Sequence, residues 1–216
     1  MSIRFSGQEF EKLKTILPIY DWGLRTLMTK LSIIHEDLRN FQHNGAIDFI
    51  HSRIKSPESI AQKLHDMGVD VTAENAKKHL RDIAGIRIIC PFAKDIYFLA
   101  NLLHYLPGVN IIREKDYIGN PKPSGYRSYH IIVEIPVFFS GKTENVTVEI
   151  QIRTEAMNFW ATLEHKARYK YREHIPQHLS DELAVIADKI AELDNRMFTI
   201  HEIISLINEG NGHDDA

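Results

Sequence analysis

One stretch decides the fold: Val146-Thr147-Val148-Glu149-Ile150-Gln151-Ile152-Arg153-Thr154. β-Branched apolar residues alternate in it with polar ones, and successive side chains of a β-strand point to opposite faces of a sheet. The alternation therefore predicts a strand with one buried face. The other face presents a carboxylate, an amide and a guanidinium, from Glu149, Gln151 and Arg153. Such a row can bind a ligand or a metal ion, and it can equally be the solvated face of an antiparallel sheet.

The composition is that of one folded domain. The chain has 216 residues, of which 44% are hydrophobic and 25% are charged, so it can bury a substantial core. Its net charge of −3 gives no overall attraction to nucleic acid or to an anionic membrane. The single cysteine, Cys90, lies in an apolar run, which predicts a small buried side chain and excludes a disulfide framework. The sequence contains no signal peptide or membrane-spanning stretch, so we expect a cytoplasmic protein.

The chain begins with helices, continues with mixed strands and helices, and ends with a helix. An apolar stripe predicts amino-terminal helices over about 8–44, ending at Asn44-Gly45. A further helix is predicted from Pro57 to Gly68 with Ser56 as its N-cap, and another from about Thr72. Four strands are predicted, at residues 86–90, 109–113, 128–135 and 146–154, with an amphipathic helix at 95–105. This order predicts an α+β fold, a small sheet with helices on one face.

The carboxy-terminal region has the most regular pattern. Apolar residues spaced three and four apart predict a helix over about 180–209, with Gly210 as its stop and a disordered tail over 210–216. Such a seam needs a partner, either the amino-terminal helices of the same chain or another subunit. The pattern leaves a core of about 50–171 between the terminal helices, within a single domain.

Charged residues precede the central strand at two places. Arg53 and Lys55 lead into a helix on which Ser59 and Lys63 share a face, and cations near a helix N-terminus suit a phosphate. The same residues are also ordinary on a protein surface. Asp82 lies in a turn before an apolar strand, where it can cap the turn or, beside a second carboxylate, hold a metal ion.

A loop with two prolines and two glycines, residues 119–130, carries aromatic and basic side chains. A tyrosine ring can stack on a nucleotide base while Lys122 and Arg127 meet its phosphates, or the ring can fold back onto the sheet. Asn158 lies in the first turn of the following helix, where its amide can face a ligand. The chain contains no Walker loop and no dinucleotide-type glycine motif, so a prediction of nucleotide binding cannot rest on either fingerprint. It also contains no His-Glu-x-x-His, and the single cysteine argues against a thiolate zinc site.

Three motifs follow one another along the chain. They are Asp82-Ile83-Ala84-Gly85-Ile86-Arg87, Gly125-Tyr126-Arg127-Ser128-Tyr129-His130 and Glu149-Ile150-Gln151-Ile152-Arg153-Thr154. With their surroundings, over about residues 50–171, they resemble the synthetase domain of the RelA/SpoT homologue family, specifically its short members, the small alarmone synthetases. The resemblance implies a nucleotidyltransferase-like or ferredoxin-like mixed sheet of about five strands, flanked by terminal helices. It also implies transfer of pyrophosphate from ATP to the 3′-hydroxyl of GTP or GDP, which yields AMP and the guanosine alarmones of the stringent response.

The resemblance further implies roles for individual residues. ATP would be bound by Arg53, Lys55, Ser59, Lys63, Arg87 and Lys115. GTP or GDP would be bound by Lys122, Tyr126, Arg127, His130, Gln151 and Asn158. Asp82 and Glu149 would hold Mg²⁺, and Glu149 would also help to deprotonate the attacking hydroxyl. Arg87 would stack on adenine and Tyr126 on guanine, whereas Lys115 stands where related synthetases often carry a second stacking arginine, which loosens adenine binding.

Several expectations stay open at this point. The hydrolase domain of the long family members has no counterpart in this sequence, so we expect synthesis without hydrolysis. Toxic relatives that pyrophosphorylate a tRNA 3′ end or make adenosine alarmones are one alternative, which the net charge disfavours. A non-catalytic nucleotide- or RNA-binding regulator is another, against which both carboxylates argue. The resemblance also implies a homotetramer built through the terminal helices, and it allows an allosteric site for the alarmone or for single-stranded RNA.

Overall fold

The computed structural model of the protein describes residues 7–40, 45–171 and 175–211. Its elements are α1 (Gly7–Asn40), β1 (Phe49–Ile54), α2 (Pro57–Asp66), α3 (Ala73–His79), β2 (Ala84–Cys90), α4 (Ala93–Leu103), β3 (Asn110–Asp116), β4 (Tyr129–Phe139), β5 (Lys142–Thr154), α5 (Glu155–Lys170) and α6 (Gln177–Asn211). The predicted α+β class is confirmed. No helix in the described ranges is long and apolar enough to cross a membrane.

The strands form one mixed sheet in the order β1-β2-β5-β4-β3. β2 and β5 pair in parallel, and every other pair of neighbours is antiparallel. β4 and β5 are joined by a tight turn at Ser140 and Gly141, whose φ angles of 49° and 77° are those of a type I′ hairpin. The stretch that decides the fold thus lies at the centre of the sheet, in β5.

The apolar residues of β5 enter the core as the alternation predicts. Val146 and Val148, and likewise Ile150 and Ile152, are at most 2% exposed. Helices α1 and α4 pack against this part of the sheet. α1 crosses it so closely that a Cβ on Gly23 would lie 2.3 Å from Cγ2 of Val146, so the approach requires a residue without a side chain.

The local signals for the short helices are also confirmed. Ser56 caps α2 by accepting a hydrogen bond from the backbone N–H of Ser59, and Pro57 occupies the first helical position. Thr72 caps α3 in the same way. Gly68 follows α2 with a φ of +68°, the left-handed conformation that commonly ends a helix. Cys90 is fully buried, as its apolar surroundings predict.

Two predictions about the termini are wrong in part. The amino-terminal region forms one helix, α1, which contains Pro18 and ends at Asn40, and residues 41–44 lie outside the described ranges. α6 continues through Gly210 to Asn211, so Gly210 does not end it. One glycine in a helix costs only about 1 kcal/mol, which the preceding turns can offset. The remainder of the predicted tail, residues 212–216, also lies outside the described ranges.

The strands differ from the sequence prediction in number and length. β1 was not among the predicted strands, because this edge strand is partly exposed along its length and its alternation is weak. β4 continues to Phe139 and β5 begins at Lys142, because their hairpin extends the ladder by pairing residues 136–139 with the polar residues 142–145, which lack the apolar alternation. β3 extends to Asp116 and contains an irregularity between Ile111 and Arg113. The helix predicted at 95–105 begins at Ala93 and ends at Leu103.

Candidate active site

The face of the sheet that bears the polar side chains of β5 receives residues from all five strands. The strand register places one row straight across the sheet: His51, Arg87, Gln151, His130 and Lys115. The adjacent row brings Arg53, Gly85 and Glu149 together. This face is not simply solvated, because Thr147 and Arg153 are only 6% and 4% exposed. Basic side chains from several strands therefore share this face of the sheet with Glu149.

A cleft of about 670 Å³ lies over this face, within the size range of small-molecule sites. Its walls come from the sheet, from the loop between β3 and β4, and from α5. The predicted site residues that line it are Arg53, Asp82, Arg87, Lys122, Tyr126, His130, Glu149 and Gln151. A smaller recess of about 150 Å³ shares several of these residues and extends along β1 to His51 and Ser52. The structure thus brings more than half of the predicted site into one cleft.

Asp82 lies just before β2, between two lysines. Its Oδ2 accepts hydrogen bonds from Nζ of Lys55 at 2.5 Å and from Nζ of Lys63 at 2.7 Å. Burial opposes ionisation of this carboxyl, but the two ammonium groups outweigh burial and lower the pKa of Asp82. Its other oxygen, Oδ1, is buried and has no hydrogen-bond partner among the described residues. Asp82 is therefore ionised, with one oxygen available to a further ligand.

Glu149 belongs to a closed ring of five hydrogen-bonded side chains. His130 Nδ1 lies 3.1 Å from Glu149 Oε1, and His130 Nε2 lies 2.7 Å from the hydroxyl of Tyr126. Arg153 Nη2 donates both to that hydroxyl, at 2.5 Å, and to Oε1 of Gln151, at 2.8 Å. Gln151 Nε2 donates to Glu149 Oε2 at 2.9 Å, which closes the ring. The ring holds the Glu149 carboxylate in one orientation.

The ring also keeps Glu149 ionised. Burial raises the pKa of its carboxyl, but the contacts from His130 and Gln151 outweigh burial, so the pKa lies below its ordinary value. At neutral pH Glu149 can therefore accept a proton or bind a cation. Among the described residues, no group of three or more histidine, cysteine or acidic side chains is placed to hold a metal ion.

Tyr126 lies on the loop between β3 and β4, beside two cations. Nζ of Lys122 is 4.6 Å from the centre of its ring, and Cζ of Arg153 is 5.1 Å from it. Nζ of Lys122 is also 4.8 Å from the ring centre of Tyr117. The loop thus presents an aromatic ring together with positive charge, as the sequence predicts for a nucleotide-binding loop.

Two residues predicted to contact the acceptor nucleotide are paired with other residues of the protein. Arg127 is directed to α6, where its Nη2 donates to Oδ1 of Asp188 at 2.9 Å. Asn158, near the start of α5, accepts a hydrogen bond from Nη1 of Arg87 at 3.3 Å. Neither residue lines the large cleft. Their positions indicate that Arg127 anchors the loop and that Asn158 orients Arg87.

Two residues predicted to bind ATP lie outside the lining of the large cleft. Ser59 is in the first turn of α2, where its hydroxyl accepts a hydrogen bond from the hydroxyl of Ser56. Lys115 is on β3, the edge strand, and its Nζ is 5.7 Å from the ring centre of Tyr117. The structure brings neither of them to the walls of the large cleft.

The cleft also contains residues that the sequence pattern did not assign. α5 contributes Glu164, His165, Lys166 and Arg168. Arg168 forms an ion pair with Glu164 one helical turn away. His51 and Ser52 were missed because the strand that carries them, β1, was missed. Arg153 was predicted to lie on the polar face of β5. Its hydrogen bond to Tyr126 could not be predicted, because Tyr126 lies 27 residues away in the sequence.

The chain is similar to known proteins in both sequence and structure. A family model described as "Region found in RelA / SpoT proteins" matches residues 52–174. GTP pyrophosphokinase YwaC of Bacillus subtilis is 45% identical over 190 residues, which cover 88% of this chain and 90% of YwaC. The structure of small alarmone synthetase 1 from B. subtilis bound to its product pppGpp has a TM-score of 0.82 at 34% identity, over 88% of this chain and 97% of that one. The same synthetase bound to AMPCPP has a TM-score of 0.77 at 31% identity, over 90% and 98% of the two chains.

Proposed function

The chain belongs to the RelA/SpoT family, and on that premise we propose that it transfers pyrophosphate from ATP to the 3′-hydroxyl of GTP or GDP. The products are the guanosine penta- or tetraphosphate and AMP. One observation carries the proposal: Asp82 and Glu149 face a single cleft that has phosphate-binding cations on one side and an aromatic, basic loop on the other.

The cations near Asp82 form the donor half of the cleft. This half comprises Arg53, Asp82 and Arg87 on the wall of the cleft, together with Lys55 and Lys63, which pair with Asp82. Lysine and arginine on fixed secondary structure bind the triphosphate of ATP, and Arg87 can lay its planar guanidinium against adenine. Asn158 accepts a hydrogen bond from Arg87 and so limits the rotation of this side chain. Ser59 and Lys115, at the margins, are proposed to contact ATP once it is bound.

The acceptor half comprises the residues around Glu149: Lys122, Tyr126, His130, Glu149, Gln151 and Arg153. The ring of Tyr126 stacks on guanine, and Lys122 meets the phosphates of the acceptor. Arg127 holds the loop from behind through Asp188 rather than by contact with the nucleotide. The two halves meet at Glu149, where the acceptor hydroxyl lies against the donor phosphate.

The reaction needs a base, a fixed line of attack and neutralised charge. Glu149 accepts the proton of the 3′-hydroxyl, the oxygen attacks the β-phosphorus of ATP, and the bond from that phosphorus to the AMP oxygen breaks. The clamped triphosphate and the stacked base set the in-line geometry, which accounts for most of the rate enhancement in such transfers. His130 stays hydrogen-bonded to Glu149 and keeps its carboxylate directed at the acceptor.

The carboxylate oxygens of Asp82 and Glu149 suit a magnesium ion. Mg²⁺ takes oxygen ligands and commonly uses one or two carboxylates together with substrate phosphates. Asp82 has a buried oxygen without a partner, and Glu149 faces the same cleft. Bound between Asp82, Glu149 and the phosphates, the ion would neutralise charge as the bond to AMP breaks.

The outer surface of α6 favours assembly with other copies of the chain. Its carboxy-terminal half exposes a run of large apolar side chains: Leu193, Met197, Ile200, Ile203, Ile204, Leu206 and Ile207. Exposed apolar surface of this extent is typical of subunit interfaces. We therefore propose that the terminal helices build a homotetramer, and light scattering of the purified protein measures its mass.

The direct test is an assay with purified protein, Mg²⁺, ATP and either GTP or GDP, followed by anion-exchange separation of the nucleotides. Formation of a guanosine penta- or tetraphosphate in step with AMP supports the proposal. Consumption of ATP only when tRNA is added would replace it with the tRNA 3′-end alternative. Release of pyrophosphate from purified alarmone would contradict the expected absence of hydrolysis.

A further inference from the structure

Asp82 pairs with two lysines and is also the proposed ligand of a metal ion, and these two roles conflict. One of its oxygens holds two ammonium groups, and the other is buried without a partner. A carboxylate that already neutralises two cations is a poor ligand for a divalent cation, because Lys55 and Lys63 repel the ion at short range. The two ammonium groups are likewise engaged and are less available to phosphate.

A bound triphosphate resolves both conflicts. Its oxygens offer the lysines an alternative anion within the same cleft, and phosphate carries more negative charge than one carboxylate. Lys55 and Lys63 both donate to the same oxygen, Oδ2 of Asp82, and Lys55 is the more enclosed of the two. Its side chain is 14% exposed, whereas that of Lys63 is 44% exposed and can swing away from Asp82 with little rearrangement.

We propose that Lys55 and Lys63 gate the metal ligand Asp82. Without nucleotide they occupy Oδ2 of Asp82, and their charge repels a divalent cation from Oδ1. When the triphosphate binds, they move to its phosphates and release Asp82, so that metal and nucleotide enter as one unit. This inference rests on the proposed function, in which Asp82 binds the metal and both lysines bind phosphate. It adds that each lysine opposes metal binding until the nucleotide arrives.

The two binding events are then linked reciprocally. A group that binds either Asp82 or phosphate, but not both, couples the two equilibria by the same factor in each direction. If the lysines were only a structural ion pair, their removal would weaken the fold and leave the affinity of the empty site for metal unchanged. The sign of the effect on metal affinity therefore distinguishes a gate from a structural contact.

The first experiment titrates nucleotide-free protein with Mn²⁺, a spectroscopic substitute for Mg²⁺, and measures free Mn²⁺ by electron paramagnetic resonance. Lys63→Met should bind Mn²⁺ about 5-fold or more tightly than the natural protein, in the range typical of coupled sites. Arg53→Met is the matched control, because Arg53 lines the same cleft but forms no ion pair with Asp82 among the described residues. It should change Mn²⁺ affinity by less than about 2-fold if only contact pairs couple strongly.

The second experiment measures binding of AMPCPP, an ATP analogue whose α,β-bridge cannot be cleaved, with and without metal. In the presence of EDTA, Asp82→Asn should bind AMPCPP about 5-fold or more tightly than the natural protein, because the lysines are no longer engaged. When Mg²⁺ is added, the natural protein should gain affinity and Asp82→Asn should not. Thermal unfolding of the three variants, Lys63→Met, Arg53→Met and Asp82→Asn, shows whether each is folded.

The results separate the inference from the function on which it rests. If Lys63→Met leaves nucleotide-free Mn²⁺ affinity unchanged, or Arg53→Met raises it as much, the gate is overturned. The proposed function survives that outcome provided that Asp82→Asn still loses the gain from Mg²⁺. If Asp82→Asn keeps that gain, the metal does not bind Asp82, and both the gate and this part of the proposed function fail.

Discussion

The two halves of the cleft are held together in different ways. In the donor half, ion pairs between Asp82 and two lysines hold the side chains, and a ligand can take over those charges without movement of the backbone. In the acceptor half, a ring of hydrogen bonds fixes Glu149, and the loop that carries Tyr126 rests on α6. Substitutions should therefore affect one half at a time, except at Glu149, where the halves meet.

α6 supports the acceptor half at three points. A Cβ on Gly125 would lie 2.5 Å from Cβ of Ala187, so the loop backbone lies directly on the helix. Arg127 pairs with Asp188 one residue further along α6. Nε1 of Trp160, on α5, donates to the carbonyl of Leu183 at 2.8 Å. The loop between β3 and β4, which carries Tyr126, thus depends on contacts with α6 for its position.

The largest effect is expected from Glu149→Gln, which removes the base and one metal ligand from both halves at once. We expect kcat to fall on the order of 1,000-fold, within the range for loss of a general base, while AMPCPP still binds. Initial rates and calorimetric titration measure the two quantities. Glu144→Gln is the matched control, because Glu144 lies on the same strand and pairs with Lys77. Normal turnover in Glu149→Gln would refute the role of this residue.

A smaller effect, confined to the acceptor half, is expected from Gly125→Ala. The new Cβ would collide with Ala187, and the φ of +87° at this position is unfavourable for alanine. Displacement of the loop by about 1 Å should reduce kcat/KM for GTP by up to about 100-fold and leave AMPCPP binding unchanged.

Gly141→Ala separates the collision from the backbone strain. Gly141 has a similar φ of +77°, but a Cβ there meets nothing within 4 Å. This variant should therefore lose some stability and keep its acceptor kinetics. If both alanine variants lower kcat/KM for GTP equally, contact with α6 does not position the loop.

The difference between the halves also explains what the sequence could predict. Asp82, Glu149 and the row of polar residues in β5 were recognisable because strand alternation and family motifs are local properties of the chain. The pairing of Asp82 with Lys55 and Lys63 was not, because it depends on the placement of α2 against the start of β2. Arg127 lies in a family motif, but its pairing with Asp188 could not be predicted, because Asp188 is 61 residues away in the sequence.

Edge elements and helix faces were the least predictable. β1 alternates weakly because it is exposed along one edge, so neither the strand nor the contribution of His51 to the site could be inferred. In the sequence, nothing distinguishes Lys166 and Arg168 from the surface cations of any helix. They line the cleft because α5 packs beside the sheet.

A modest effect is expected from Tyr126→Phe, which keeps the ring and removes the hydroxyl that joins Arg153 to His130. Stacking should persist, so the KM for GTP should change little. kcat should fall about 3- to 10-fold, because loss of the two hydrogen bonds of this hydroxyl opens the ring and loosens the position of Glu149. Tyr126→Ala, in contrast, should raise the KM for GTP. If Tyr126→Phe and the natural protein have the same kcat, the ring of hydrogen bonds is not needed to orient Glu149.

The smallest effect concerns the attachment of α6 to the end of β5. The hydroxyl of Thr154 donates to Oδ2 of Asp194 at 2.5 Å. Burial raises the pKa of Asp194, and the hydrogen bond from Thr154 only partly offsets it. Because the folded protein holds this proton more tightly than the unfolded chain, Asp194 favours folding most below its ordinary pKa of about 4. That contribution is lost as the pH rises through the raised pKa.

Asparagine at this position keeps an acceptor oxygen and carries no charge. Asp194→Asn should therefore be as stable as the natural protein near pH 4 and more stable at pH 7, by no more than about 1 kcal/mol in urea unfolding. Asp194→Ala should be less stable at both pH values, because Thr154 loses its acceptor. If Asp194→Asn is destabilised at pH 7 as much as Asp194→Ala, the carboxylate charge itself secures α6. The acceptor half would then depend on charge as the donor half does, and the contrast between them would be weaker.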